Sequence, residues 1–326
     1  MKDSFGRDIN YLRLSLTDRC NLRCVYCMPM QGLTFVPGDE LLQPYEIEAV
    51  VRAAAEIGFK KIRLTGGEPT LRRDLLEIVS RIKGVPGIEE VVMTTNGYLM
   101  PRLAQPLAQA GLDRVNLHID AVSQTQLLKT MRLAKPDKIW QAIAATEAAG
   151  LLPIKLNAVV TRGYNEDDVP TLAGLTVDKP WHMRFIELMP LGAPAGIALE
   201  NYVSSQETIQ LIERKFGPIF PLKDGRLDGE ARLYRITGAE GTLGFISPVS
   251  NPYCGDCNRL RVTSDGKILL CLLSDQEINF RDTLRGGGSH QDLVALFQKA
   301  VTHKPWGHKL EQGIHPERRT MSQIGG

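Results

Sequence analysis

Residues 11–27, YLRLSLTDRCNLRCVYC, alternate leucine with polar residues and then place Cys20, Cys24 and Cys27 on one short stretch. Leu12, Leu14 and Leu16 fall on one face of an extended segment, and Arg13, Ser15 and Thr17 on the other, the two-residue period of a β-strand. The cysteines follow the C-terminal end of that strand, where α/β barrels build their active sites. Three thiolates can hold three irons of a cubane and leave the fourth open to a ligand, whereas four would close the site. Zinc with a fourth ligand from elsewhere is the alternative left open.

The pattern repeats outward from this stretch. Strands are predicted at 11–17, 61–65, 91–95, 114–119, 154–161 and 182–189, with amphipathic helices at 45–58 and 73–83. Pro44 and Gly58 mark the ends of the first helix, as expected from their backbone preferences. Regular alternation implies a parallel sheet with right-handed crossovers, and about six units imply an open, incomplete barrel. In IRLTGG, VNLHID and IKLNAVV, as in LRLSLT, apolar residues oppose polar ones: Arg63 and Thr65; Asn116, His118 and Asp120; Lys155 and Asn157. Helices normally cover the faces of a parallel sheet. The apolar sides should therefore face helices and the polar sides a hydrated interior; a two-sided sheet with solvated charges is the plainer reading.

A second triplet, Cys254-x2-Cys257-x13-Cys271, completes the six cysteines of the 326-residue chain. That number is far too small for a disulfide scaffold. Basic and acidic residues nearly balance, 39 against 37, so no global field points to nucleic acid or an anionic membrane. The start, MKDSFGRDIN, lacks the apolar core of a signal peptide, and no apolar run approaches the ~18 residues of a membrane span. A cytoplasmic protein with free, metal-binding or reactive thiols is expected. Past residue 190 a Gly/Pro/Ala-rich stretch leads to a smaller α+β region. It should hold a helix at 205–216, strands near 232–236, 242–247, 259–263 and 267–271, and a helix at 290–302. The polar tail ending in Gly325-Gly326 would be mobile in isolation.

CNLRCVYCMP followed by the strand end Gly66-Gly67-Glu68-Pro69 resembles the radical S-adenosylmethionine (SAM) superfamily. NPYCGDCNRLRVTSDGKILLCL is narrower and resembles the GTP 3′,8-cyclases of molybdenum-cofactor biosynthesis; KIRLTGGEPTLRRDL, TTNGYL, RFIELMP and the terminal IGG agree. The resemblance spans about residue 5 to Gly326. It implies an incomplete (β/α)6 TIM-like radical SAM barrel over 1–220 and an auxiliary-cluster, GTP-binding region over 221–326. It implies two 4Fe-4S clusters, held by Cys20, Cys24 and Cys27 and by Cys254, Cys257 and Cys271. SAM would supply a 5′-deoxyadenosyl radical that takes hydrogen from C3′ of GTP. C3′ would then join C8 to give (8S)-3′,8-cyclo-7,8-dihydroguanosine 5′-triphosphate.

Residue by residue, the resemblance implies SAM contacts at Tyr26, Gly67, His118 and Met189. It implies GTP contacts at Arg13, Arg63, Thr94, Lys155, Arg259, Leu260 and Arg261, and a catalytic role for Gly325 and Gly326. His118 departs from the commoner pattern, a serine in a V-S-L-D string; histidine can still donate a hydrogen bond. A packed structural histidine is the plainer reading there, as cavity lining is for Tyr26 and Met189. An external electron donor and the next enzyme, cyclic pyranopterin monophosphate synthase, are implied partners, with room for a homodimer and no nucleic acid or membrane. A peptide-modifying radical SAM enzyme and a non-enzymatic iron–sulfur carrier remain the competing readings.

Overall fold

The computed structural model describes residues 1–191, 199–222 and 227–325. Six strands come first: β1 Tyr11–Ser15, β2 Lys61–Thr65, β3 Glu90–Thr95, β4 Arg114–His118, β5 Lys155–Val160 and β6 His182–Glu187. Each pairs in parallel with the next. The later part supplies β7 Ile219–Pro221, β8 Leu227–Asp228, β9 Ala231–Ile236, β10 Thr242–Ile246, β11 Arg259–Val262, β12 Lys267–Leu269 and β13 Glu277–Asn279. All belong to one sheet, ordered β13-β12-β11-β1-β2-β3-β4-β5-β6-β10-β9-β7 with β8 on β9.

The six-unit reading is thus extended at both ends. β11 adds in parallel to β1, and β10 in parallel to β6. These two do not pair with each other, so the barrel stays open. The smaller region contributes strands to both rims of this sheet, which no local periodicity announces.

Alternation along the strands sorts side chains as expected. Leu12, Leu14, Ile62, Leu64, Val115 and Leu117 are 0–1% exposed and join one apolar core with Ile47, Val50, Val51, Ile78 and Val79 from the covering helices. Each such burial contributes roughly 1.5–3 kcal/mol relative to exposure. Helix Pro44–Glu56 starts on proline, with Gln43 N–H donating to Glu46 Oε2 at 2.8 Å. Gly58 follows it at φ +97°, a conformation that costs other residues more. The tail is not loose: Ile324 is buried against Leu191, Leu269 and Leu273, and helix Met321–Ile324 ends at Gly325. Gly326 lies outside the described residues.

Candidate active site

The register of the sheet decides what faces the interior. Arg13 of β1 stands opposite Arg63 of β2 on one side and Arg261 of β11 on the other. Like charges directly opposite on neighbouring strands destabilise a sheet, so three in-register arginines call for anionic company. Arg184 of β6, opposite Asn157, faces the same space. Gly244 of β10 stands beside it: a Cβ there would lie 2.9 Å from Arg184 Cγ, so glycine leaves room for the arginine stem.

These side chains line a cavity of about 200 Å³ together with Thr94, Asn116 and Glu230. Arg63 donates to Tyr11 Oη and, at 3.1 Å, to Thr94 Oγ1. Glu230, at the β8–β9 turn, pairs with Arg13 at 3.4 Å and with Arg259. Burial would raise its pKa, but Arg259 and Arg13 outweigh that and hold the carboxyl far below its usual range. One carboxylate cannot neutralise the group. Burial, then Arg13 and Arg259, pull Arg261 down to about 9. Burial, then Arg184 and Arg114, pull Lys155 to about 8 although Asp228 lies 3.6 Å away. Arg184 Nε, Arg259 Nε and Asn157 Oδ1 are buried with no hydrogen-bond partner among the described residues. Buried polar groups are otherwise almost always satisfied; the partnerless Arg184 and Arg259 N–H groups suit an anionic ligand, and Asn157 Oδ1 suits a donor on it.

Cys20, Cys24 and Cys27 line the other end of the same cavity. Their loop is pinned by the strand end after β2: Gly67 N–H donates to Thr17 O at 2.6 Å and Glu68 N–H to Arg19 O at 2.8 Å. Added Cβ atoms at Gly66 and Gly67 would lie 2.5 Å from Thr17 O and 2.4 Å from Arg19 O. Both glycines are therefore demanded by backbone approach as well as by any ligand. Glu68 accepts from Thr70, Thr95 and Asn96, tying the ends of β2 and β3. Tyr26 Oη donates to Asp120 Oδ2 at 2.6 Å, and His118 Nε2 lies 2.9 Å from Asp120 Oδ1 and 2.5 Å from Tyr26 Oη. Those contacts engage the Nε2 side of the His118 ring with Asp120 and Tyr26.

Burial, then Glu68, pushes the Cys20 thiol up to about 11; burial, then Cys20, pushes Cys27 up to about 12. Such thiols become thiolates when a metal takes their charge. The other triplet lines an adjoining cavity of about 70 Å³, and Tyr253, Arg261 and Leu272 belong to both walls. Burial raises the Cys257 thiol, but Arg259 and Lys304 outweigh it and bring it below its ordinary value. Among the described residues no three His, Cys, Asp or Glu side chains converge as one metal ion requires. A cubane instead spreads its thiolates over separate irons, so unpaired, partly buried triplets fit such clusters.

Most residues singled out in the sequence meet here. Arg13, Arg63, Thr94, Tyr26, Gly67, His118, Met189 and Arg261 line the larger cavity, and Arg259 lines the smaller. Lys155 lines neither cavity; it lies near Arg184 and Arg114, with Asp228 Oδ2 at 3.6 Å. Leu260 pairs with Leu12, is 1% exposed and sits in the helix-facing core, so its side chain points away from the arginines and any contact to a ligand would come from its backbone. Gly325 O accepts from Arg261 Nη1. Glu230, Arg184 and Tyr253 were missed as site residues. The alternation His182, Arg184, Ile186 was signal enough for Arg184; nothing local marks a glutamate at a hairpin tip.

Residues 14–175 match the Radical SAM superfamily, and residues 181–310 match Molybdenum Cofactor Synthesis C. A Pelotomaculum thermopropionicum protein named GTP 3′,8-cyclase is 46% identical over 326 residues, covering 100% of both chains. One of the same name from Moorella thermoacetica is 44% identical, again over 100% of each. Among solved structures, Streptococcus suis SuiB superposes with a TM-score of 0.60 at 16% identity, over 83% of this chain and 63% of that one, a likeness of fold alone.

Proposed function

The chain belongs to the GTP 3′,8-cyclase family of radical SAM enzymes, and on that premise we propose how its cavity converts GTP to 3′,8-cyclo-7,8-dihydro-GTP, the first step of molybdenum-cofactor biosynthesis. The observation that carries this reading is one cavity with three cysteines at one end and in-register arginines at the other. When bound, the first cluster and SAM supply a one-electron reductive cleavage and the radical that takes a hydrogen from the substrate ribose. Gly67, Tyr26, His118 and Met189 would hold SAM beside Cys20, Cys24 and Cys27. Arg13, Arg63, Arg184, Arg259, Arg261 and Lys155 would hold the triphosphate, arginine forks gripping phosphate oxygens in pairs. Thr94 and the Leu260 backbone would complete those contacts. Cys254, Cys257 and Cys271 would hold a second cluster near the guanine.

Holding both molecules in one enclosed space fixes the ribose against the radical and keeps other reactants away. On the same premise we propose a division at residue 220, an external electron donor, cyclic pyranopterin monophosphate synthase as the next enzyme, a homodimer and a cytoplasmic setting. Among the described residues no helix is long and apolar enough to cross a membrane. The direct test is the anaerobically reconstituted chain with SAM, GTP and dithionite. The cyclised nucleotide and 5′-deoxyadenosine should form together. Labelled peptide modified in place of GTP, or no SAM cleavage at all, would overturn the assignment.

Two further outcomes follow from the geometry. Lys155 is charged below about pH 8 and neutral above it, and only the charged form attracts phosphate. GTP binding should therefore take up protons near that pH and weaken by up to about tenfold from pH 7 to 9. Lys155→Arg should flatten the profile; equilibrium binding at each pH checks both. Gly325 has φ +75°, and an added Cβ would lie 2.2 Å from Thr65 Oγ1. Gly325→Ala should undock the tail and lower GTP conversion about tenfold or more, since left-handed backbone alone costs ~1–2 kcal/mol. The melting temperature should hardly move. Faster amide exchange at 321–325 would report the undocking.

A further inference from the structure

Lys304 is 3% exposed, just past the end of helix His290–Thr302. Its Nζ donates to Leu270 O at 2.7 Å, and no carboxylate pairs with it among the described residues. Buried charges are ordinarily paired or set against a metal site, because leaving water uncompensated is unfavourable. The partner must come from the smaller cavity, which Lys304 lines with Cys254, Cys257 and Cys271. The other polar side chains there cannot serve. Arg259 and Arg261 are themselves cations, and Tyr253 is a phenol pushed by burial up to about 12. His308 has both nitrogens engaged: Nε2 donates to Pro248 O at 2.8 Å, and Nδ1 faces the Leu310 N–H at 3.4 Å. Among the described residues lining that cavity, only the three cysteines can carry negative charge beside the ammonium.

We infer that Lys304 is the fixed counter-charge of the cluster held by Cys254, Cys257 and Cys271 and sets its reduction potential. The inference rests on the reading of that triplet as a cluster site given above. A cubane core with three thiolates is an anion, and each electron delivered by a reductant makes it more negative. An ammonium held against it favours the reduced form and raises the potential, as charge and hydrogen bonding do at iron–sulfur sites generally. Lys304 acts through the cluster and is a positioning residue, not a catalytic one. Its bond to the carbonyl of Leu270, the neighbour of Cys271, fixes its place.

The test is an anaerobic redox titration of the full-length holoenzyme, followed by electron paramagnetic resonance and iron analysis. The N-terminal cluster, recognised by its response to SAM, is the internal reference. Lys304→Met should keep its iron and shift the second cluster to more negative potential. The oxidised-to-reduced ratio at a fixed poise should change by at least tenfold, ~59 mV for one electron. Lys304→Arg should titrate with the wild type, and the N-terminal cluster should not move in either. Loss of the second cluster from Lys304→Met alone, with Lys304→Arg retaining it, supports the same role. A full iron complement with no shift in Lys304→Met overturns the inference while the second cluster stands. Loss of that cluster from both variants also overturns it, showing a packing role only. Iron for a single cluster in the wild type would remove the second cluster itself, and that failure shows before any variant is made.

Discussion

Cys24→Ala should abolish formation of 5′-deoxyadenosine from SAM. Cys20 and Cys27 are the other cysteines on the larger cavity, so the variant leaves two thiolates where three irons need holding. Removing an outer partner of a metal ligand typically costs 10–100-fold; losing a ligand should cost more, roughly 10³-fold or beyond. The fold should survive, because alanine keeps the apolar contact that partly buried Cys24 makes with the core. Nucleoside analysis after dithionite reduction, alongside iron content, reads the result. Wild-type levels of 5′-deoxyadenosine from this variant would sink the assignment of the first triplet.

Cys257→Ala should separate the two halves of the reaction. Cys257 lines the smaller cavity, and none of the first triplet does. SAM cleavage should therefore persist within several-fold, uncoupled from product, while cyclised GTP falls below detection. The loss should exceed about a hundredfold, again beyond the outer-partner range. Measuring both products in one reaction distinguishes this from a folding defect, which would remove both. Undiminished cyclisation would refute a guanine-placing role for the second triplet.

The legible parts of this protein are those where chemistry repeats at short range. Alternation in LRLSLT, IRLTGG, VNLHID and IKLNAVV located four strands and the faces that turn inward, because a pleat sends successive side chains to opposite sides. The same rule, followed through RLRV, separates Leu260 from Arg259 and Arg261. The resemblance alone placed Leu260 with them. The Cys triplets and GGEP were readable as chemistry, but their glycines also serve backbone approach at Thr17 and Arg19, which only three dimensions reveal.

What stayed hidden depends on partners far apart in sequence. Nothing near residues 259–262 or 242–246 says that these strands flank β1 and β6 in parallel. Glu230 enters the arginine cluster from a turn with no motif around it. Helices Met100–Gln109 and Pro136–Ala148 were not placed in advance, although their apolar faces pack on the same core. The tail looked loose because its composition is polar; Ser322 and Ile324 are nonetheless buried.

The pairing of Tyr11–Leu14 with Arg259–Val262 has a consequence for birth on the ribosome. The first strand emerges early, yet the neighbour that finishes its ladder is translated about 250 residues later. At roughly 5–20 residues per second that is a wait on the order of 12–50 s. Throughout it the nascent chain carries a raw edge of unsatisfied amides and carbonyls, the feature that invites mispairing with other chains. Chaperone cover during that interval should therefore bear on how much folded enzyme a cell obtains.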